Sequence, residues 1–176
     1  MTSAAGPKSG RKPIRGMSPK GYRLRMMEPG EAEALLAIRH ASGDPSEPRS
    51  DLADFIRLIL AHEVYVAIAK QGDKPVGYAV AGGQGPVYRL VDLHVVPAYR
   101  RRGIGTALLD SVTRRARWFD HRALVVCGPV GQADNASFYR HQGFAPVSWA
   151  ELPPGAADGH KPETPVPCGT VMVKWL

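Results

Sequence analysis

The sequence predicts an α/β (α+β) fold built on a mixed, mostly antiparallel sheet that contains one parallel strand pair. Three observations carry this expectation. Leu93 and Val95 alternate with Asp92 and His94, the period-2 pattern of a strand with two different faces. Past Pro97 and a basic turn, Ile104, Leu108, Val112, Ala116 and Phe119 recur at spacings of three and four, which marks one buried helical face. Residues 123–127, ALVVC, then form a continuous apolar run of the kind covered on both faces. Strand, crossover helix and strand make a parallel pair, with a right-handed crossover.

The remaining elements follow in order. Residues 22–27 alternate weakly and give a first strand. Residues 31–40 read as a helix entered through Pro29-Gly30, with Leu35 and Ile38 on one side. Gly43, Asp44-Pro45 and Pro48 mark a loop over residues 41–50. Ser50 is placed to cap the next helix, whose Leu52, Phe55, Ile56, Ile59 and Leu60 form an apolar stripe. Residues 64–69 and 76–81 are two strands joined by the Gln71-Gly72-Asp73-Lys74-Pro75 hairpin, and residues 87–96 give a third antiparallel partner. The helix after Gly103 should end near Asp120. A short helix over residues 135–142 stops at Gly143, and residues 144–149 and 170–175 supply the last two strands. The connection between those two, residues 151–169, is long and proline-rich, a length usually reserved for functional or disordered loops.

At 176 residues the chain is long enough for one domain with a proper core. Its apolar runs are too short to span a membrane. The net charge of +7 is unevenly spread: seven Lys and Arg occur up to Arg25 with no acidic residue, and the other 16 balance 16 Asp and Glu. The basic excess therefore belongs to a Gly-, Pro- and Ser-rich tail over residues 1–21, expected to be disordered, and residues 22–176 form the folded domain. A specific nucleic-acid partner is not expected from a neutral folded part. No apolar core follows the tail's charges, which excludes a secretory signal. Only Cys127 and Cys168 occur, without metal-like spacing, and the usage fits a reducing cytoplasm. Cys127, inside a strand, reads as a small buried hydrophobe.

The stretch that organises the chain is residues 91–109, VDLHVVPAYRRRGIGTALL. Pro97 ends ordinary strand pairing. Gly103 and Gly105 stand where the helix begins, leaving its free N–H groups open to close approach. Those N–H groups, the positive end of the helix dipole and the guanidiniums of Arg100, Arg101 and Arg102 suit a phosphorylated anion. The order strand, Arg-Arg-Arg-Gly-Ile-Gly, helix, followed downstream by Asn135-Ala136-Ser137-Phe138-Tyr139 and Gly143-Phe144, resembles the GNAT superfamily of acyl-CoA-dependent N-acetyltransferases. The resemblance spans the chain from about Tyr22 to the C-terminus. It implies that the parallel pair is central and splayed, with helices on both faces of the sheet.

It further implies acetyl-CoA as co-substrate, with its pyrophosphate on Arg100, Arg101, Arg102, Gly103, Gly105 and Thr106. The pantetheine arm would lie along main-chain groups of Leu93 and Val95, with the Val95 N–H polarising the thioester carbonyl. Tyr139 occupies the family's general-acid position. A phenol with a reference pKa of about 10 can donate to a thiolate whose conjugate acid lies at about 8.5. Asn135 would bond to the pantetheine or cap its helix. Many members carry their asparagine three positions earlier, where this chain has Gln132. Asp92 and His94 share one face of their strand and are the candidates for the amine's proton, Asp92 ranked ahead, with no dedicated base as the third option. No metal is implied. The expected acceptor is a small-molecule primary amine, with a protein or peptide amine, or acyl-CoA binding without turnover, as alternatives. Acidic loop residues Asp44, Glu47, Glu151, Asp158 and Glu163 read equally as a cationic-acceptor site or as solvated charges. A homodimer fits the family resemblance, although no residue pattern demonstrates one.

Overall fold

The computed structural model describes residues 18–43, 49–128, 133–148, 151–152 and 170–176. Along the chain these form β1 (Tyr22–Met26), α1 (Ala32–Ser42), α2 (Leu52–Leu60), β2 (Glu63–Ala69), β3 (Lys74–Gln84) and β4 (Val87–Val95). A single 3-10 turn (Pro97–Tyr99) leads to α3 (Ile104–Trp118), β5 (Ala123–Gly128), α4 (Ala133–His141), β6 (Ala145–Val147) and β7 (Thr170–Trp175). The expected disorder of the tail lies, up to residue 17, outside the described residues, as does most of the proline-rich connection.

The strands make one sheet in the order β1-β2-β3-β4-β5-β7-β6. Every neighbouring pair is antiparallel except β4 with β5, and the predicted parallel pair therefore sits at the middle. Tight turns join β2 to β3 and β3 to β4, α1 and α2 lie between β1 and β2, and the parallel step needs α3 as its crossover.

Alternation along the strands feeds two separate cores. One face carries Val64, Val66 and Ile68 of β2 with Tyr78 and Val80 of β3, packed under Leu35, Leu36, Ile38, Phe55 and Ile59 of α1 and α2. The opposite face carries Tyr65, Ala67, Ala79, Leu90, Leu124 and Val126 beneath α3, whose Ile104, Leu108, Val112 and Ala116 are nearly or wholly buried. In β5, Ala123 and Val125 face the first side and Leu124 and Val126 the second, as a run apolar on both sides requires. Burying each such aliphatic side chain stabilises the fold by roughly 1.5–3 kcal/mol.

Four local expectations are corrected. Asp51, not Ser50, caps α2: its carboxylate accepts the Asp54 N–H at 2.7 Å. Phe119 leaves the buried face because α3 closes at Trp118; its ring stands over the Arg115 guanidinium and is half exposed. The sixth strand shrinks to three residues, since Phe144 turns into the core after the left-handed Gly143. Cys127 is only partly buried.

Truncating the buried face of α3 should be costly and truncating its solvent end should not. Leu108→Ala is expected to lower unfolding free energy by about 2–5 kcal/mol. Trp118→Ala, at 80% exposure, should stay within about 0.5 kcal/mol. Denaturant midpoints of the two variants against wild type provide the check.

Candidate active site

The site is built where β4 parts from β5. Their parallel pairing covers only Val87–Leu90 against Ala123–Val126. Beyond it β5 continues along β7 to Gly128, while β4 continues along β3 to Val95. Val91 is an extra residue at the parting point, since Val80 pairs with Asp92 but Ala81 pairs with Leu90. Such a bulge bends its strand and breaks the ladder locally. Across β3, the Val96 N–H donates to the Val76 carbonyl. Main-chain groups alternate sides along a strand, so Leu93 and Val95 face the opening and not β3. The Val95 carbonyl already accepts from Arg100 Nε at 3.2 Å.

The turn after β4 points the start of α3 at the same opening. Gly103 has φ +78°, a left-handed conformation that any Cβ would strain, and Arg101 stands at φ +60°. Helix geometry leaves the N–H groups of Ile104, Gly105 and Thr106 without carbonyl partners inside α3. A Cβ built on Gly105 would meet the Phe138 ring at 3.6 Å, an ordinary contact. Packing alone therefore does not demand glycine there. The guanidiniums are not arrayed as three equivalent claws. Arg100 Nη2 also donates to the Ser42 carbonyl at 2.7 Å. Arg102 bonds the Tyr22 hydroxyl and lies over the Tyr99 ring. Arg101 is exposed. Thr106 Oγ1 accepts from Gln142 Nε2 at 3.3 Å, which ties the turn to the end of α4.

Tyr139 lies on α4, held edge-on between Phe138 and Phe144 with ring centroids 5.3 and 5.5 Å away. Burial pushes its phenol above the usual range and the Asp92 charge adds to the shift. At neutral pH it therefore keeps its proton and acts as a donor. Asn135 lies within the first turn of α4, which begins at Ala133. Gln132 falls outside the described residues.

Asp92 and His94 do share a face, and the structure joins them. His94 Nε2 is 2.7 Å from Asp92 Oδ1, the Tyr78 hydroxyl donates to Asp92 Oδ2 at 2.7 Å, and Arg39 Nη1 is 3.6 Å from that oxygen. The other ring nitrogen of His94, Nδ1, lies 2.8 Å from Ser42 Oγ. Burial by itself would raise the Asp92 pKa. The His94 hydrogen bond and charge, Arg39 and the Tyr78 hydroxyl more than offset it and hold the carboxyl below its usual range. Arg39, Ser42 and Tyr78 carry no signal in the sequence, because Ser42 and His94 are 52 residues apart and meet only through tertiary packing.

Other places are less promising. A concavity of about 860 Å³ lies between His62 and His121 and includes none of the candidate catalytic or cofactor-binding residues. Among the described residues no His, Cys, Asp and Glu cluster could hold a metal ion, and no helix is long and apolar enough to cross a membrane. Of the acidic loop residues only Glu151 is described. Its carboxylate is used locally, accepting from the Ser148 N–H and hydroxyl.

A family model for the acetyltransferase (GNAT) family matches residues 32–144. The chain belongs to that family. The match runs from α1 to Phe144 and so contains the cleft, the glycine turn and Tyr139. The fold is also found in solved structures. An acetyltransferase from Streptococcus agalactiae matches at TM-score 0.71 and 18% identity over 89% of this chain and 99% of that one. The ribosomal-protein-S18-alanine N-acetyltransferase of Escherichia coli matches at 0.67 and 17%, over 88% and 93%. Nourseothricin acetyltransferase matches at 0.62 and 22%, over 88% and 98%. This GNAT acetyltransferase thus carries the expected mixed sheet, central splayed parallel pair and helices on both faces.

The depressed Asp92 pKa makes a signed prediction. A carboxylate whose folded pKa lies below its unfolded value contributes stability above about pH 4, and that stability is lost as pH falls through the folded value. Unfolding free energy of the wild type should therefore decline below about pH 4, and more steeply than that of Asp92→Asn. Parallel acid limbs in the two denaturation series would show that Asp92 gains nothing from its partners.

Proposed function

We propose that this acetyltransferase moves the acetyl group of acetyl-CoA to a primary amine of a small molecule or amino compound, by direct attack within a ternary complex. The observation that carries the proposal is the parting of β4 from β5 after Leu90, which leaves the main chain of Leu93 and Val95 without a neighbouring strand beside the start of α3. An extended pantetheine arm would add to β4 as a strand does. Its amide N–H donors and carbonyl acceptors would find the Leu93 groups, and its thioester carbonyl the Val95 N–H. The Val95 carbonyl would become available once Arg100 turned to a phosphate.

The pyrophosphate would rest on the N–H groups of Gly103, Gly105 and Thr106, with Arg100, Arg101 and Arg102 around it, and Asn135 would lie within reach of the arm from α4. Among the described residues, the partners of Arg100 and Arg102 are neutral: carbonyls, a hydroxyl and a ring. An anion would exchange these for stronger charge-assisted bonds.

Chemistry then needs a neutral amine, a stabilised oxyanion and a protonated thiolate. The Val95 N–H would polarise the thioester carbonyl and hold the oxyanion. Tyr139, kept protonated by burial and by the Asp92 charge, would donate to the departing sulfur. The Asp92–His94 pair supplies the negative site to which the acceptor's ammonium is drawn and the acid–base pair that takes its proton. A leaving-group donor in place favours turnover over a sensor that only binds acyl-CoA. A second copy of the chain is a further partner proposed from family resemblance.

Calorimetric titration with acetyl-CoA and with CoA tests the first half, and CoA release across a panel of small amines and N-terminal peptides tests the second. Failure of the folded protein to bind either nucleotide thioester or thiol would sink the proposal. Two variants refine it. Tyr139→Phe should lower turnover about 10²-fold or more while leaving acetyl-CoA affinity within about twofold, and unchanged turnover would remove Tyr139 as the acid. Gly103→Val, which forces a β-branched residue into a left-handed conformation, should weaken acetyl-CoA binding at least about tenfold by disturbing the turn. Normal affinity would place the phosphates elsewhere.

A further inference from the structure

His94 does not present a free nitrogen to the cleft, because both ring nitrogens are engaged. An ionised carboxylate only accepts, so Nε2, 2.7 Å from Asp92 Oδ1, must carry a proton. The nitrogen able to change state is then Nδ1, and what it meets is the Ser42 hydroxyl at 2.8 Å. That hydroxyl has a second option, the Ile38 carbonyl at 2.6 Å. With a neutral ring, Ser42 donates to Nδ1. With a charged ring, Nδ1–H donates to Ser42 Oγ, and the hydroxyl proton turns to Ile38. Both states leave the ring's nitrogens partnered, and only a hydroxyl rotor moves between them.

Resting on the acetyl-transfer reading above, we propose that Ser42 is a proton-relaying residue that makes Nδ1 of His94 the proton-accepting atom of the site, the proton arriving through the Ser42 hydroxyl while Asp92 stays ionised as counterion. The acceptor's R–NH3⁺ gives a proton to Ser42 Oγ, directly or through one water, as Oγ–H passes its own proton to Nδ1. The products of this step are a neutral amine and an imidazolium paired with Asp92. No bond to carbon changes and no electron is transferred. After attack on the thioester a second amine proton neutralises the departing thiolate through Tyr139, the third stays on the amide, and the imidazolium returns its proton to solvent by the reverse path.

The surroundings suit this division of labour. The carboxyl of Asp92 is held below its usual range and is a weak base on its own. Facing the ring are Asp92 on β4, the Tyr78 phenol on β3 with ring centroids 5.6 Å apart, and Ser42 and Arg39 on α1. Arg100 holds the Ser42 carbonyl from the turn, and Tyr139 senses Asp92 from α4. Arg39 and Arg100 oppose a charged ring, Asp92 favours it, and both phenols are neutral. Ser42 is only partly buried, so a proton can leave from it, whereas Tyr78 is sealed in the core.

The test uses the full chain with nitrogen-15 histidine, comparing wild type, Ser42→Ala, the hydroxyl-retaining Ser42→Thr, and His94→Gln for assignment. The wild-type ring should be protonated at Nε2 when neutral and should gain its second proton at Nδ1 on acidification. Ser42→Ala should shift the Nδ1 resonance, and Ser42→Thr should restore it. With an amine that releases CoA in the panel, Ser42→Ala should lower kcat about tenfold or more, displace the acid limb of the kcat–pH profile and leave the acetyl-CoA KM within about twofold. Ser42→Thr should recover most of the loss. A neutral ring protonated at Nδ1, or an Nδ1 resonance indifferent to Ser42→Ala, overturns the proposal, as does a loss of kcat that is uniform across pH. Ring signals as expected in a wild type that releases no CoA with any amine would count for the Ser42–His94 assignment and against acetyl transfer.

Discussion

One strand cannot follow two diverging neighbours, and the rest of this molecule is arranged around that constraint. β4 pairs with β5 for four residues, gains an extra residue at Val91, and then stays with β3 alone. The main-chain groups released by that choice would be a liability at a buried position, where unpaired N–H and C=O groups cost free energy. Here they open onto the start of α3, whose own first N–H groups are also without internal partners. Two sets of unsatisfied backbone donors converge on one gap, an arrangement that an extended, anion-bearing ligand can complete and that a side chain cannot.

Two carboxylates fix the helices that frame this gap. Asp92 draws in Arg39 from α1 and Tyr78 from β3, with His94 and Ser42 behind it, and so locks the end of α1 over the exposed part of β4. Glu63 does the corresponding work at the other end of the sheet. It accepts from the Tyr65 and Tyr88 hydroxyls and pairs with Arg115 of α3. Burial would raise its pKa, but Arg115 and the tyrosines hold it low. Removing a charged partner from either cluster leaves a partly buried carboxylate less well compensated, which costs stability.

The difference between the two clusters lies in what surrounds them. Glu63 is held by two phenols and a guanidinium. Asp92 is joined to an imidazole whose second nitrogen meets a hydroxyl with two choices of acceptor. A cluster that can store a proton without stranding a polar atom is a chemical device as well as a structural tie. The phenol of Tyr139 feels the same charge from α4, and in the proposed reaction it would supply the acid opposite that base.

By itself the sequence determined the order and type of nearly every element, the parallel step, and the stretch from Val91 to Leu109 as the centre of the molecule. These are legible because burial of one face imposes a period of 2 or 3.6 on neighbouring residues, and because a left-handed turn before a helix demands glycine at Gly103. Where the chain merely stops being periodic the reading slipped, at Phe119, at the cap of α2 and in the sixth strand, since terminal residues obey local hydrogen bonds more than pattern. Tertiary structure alone decided which atoms meet Asp92. Arg39 and Tyr78, and Ser42 beyond His94, come from α1 and β3, and nothing in their own neighbourhoods announces the contact. It also decided that Arg100 and Arg102 rest on carbonyls, a hydroxyl and a ring. The physical reason is common to both. Periodicity records which face of an element is dry, whereas partnership between polar groups depends on where separate elements are brought together in space.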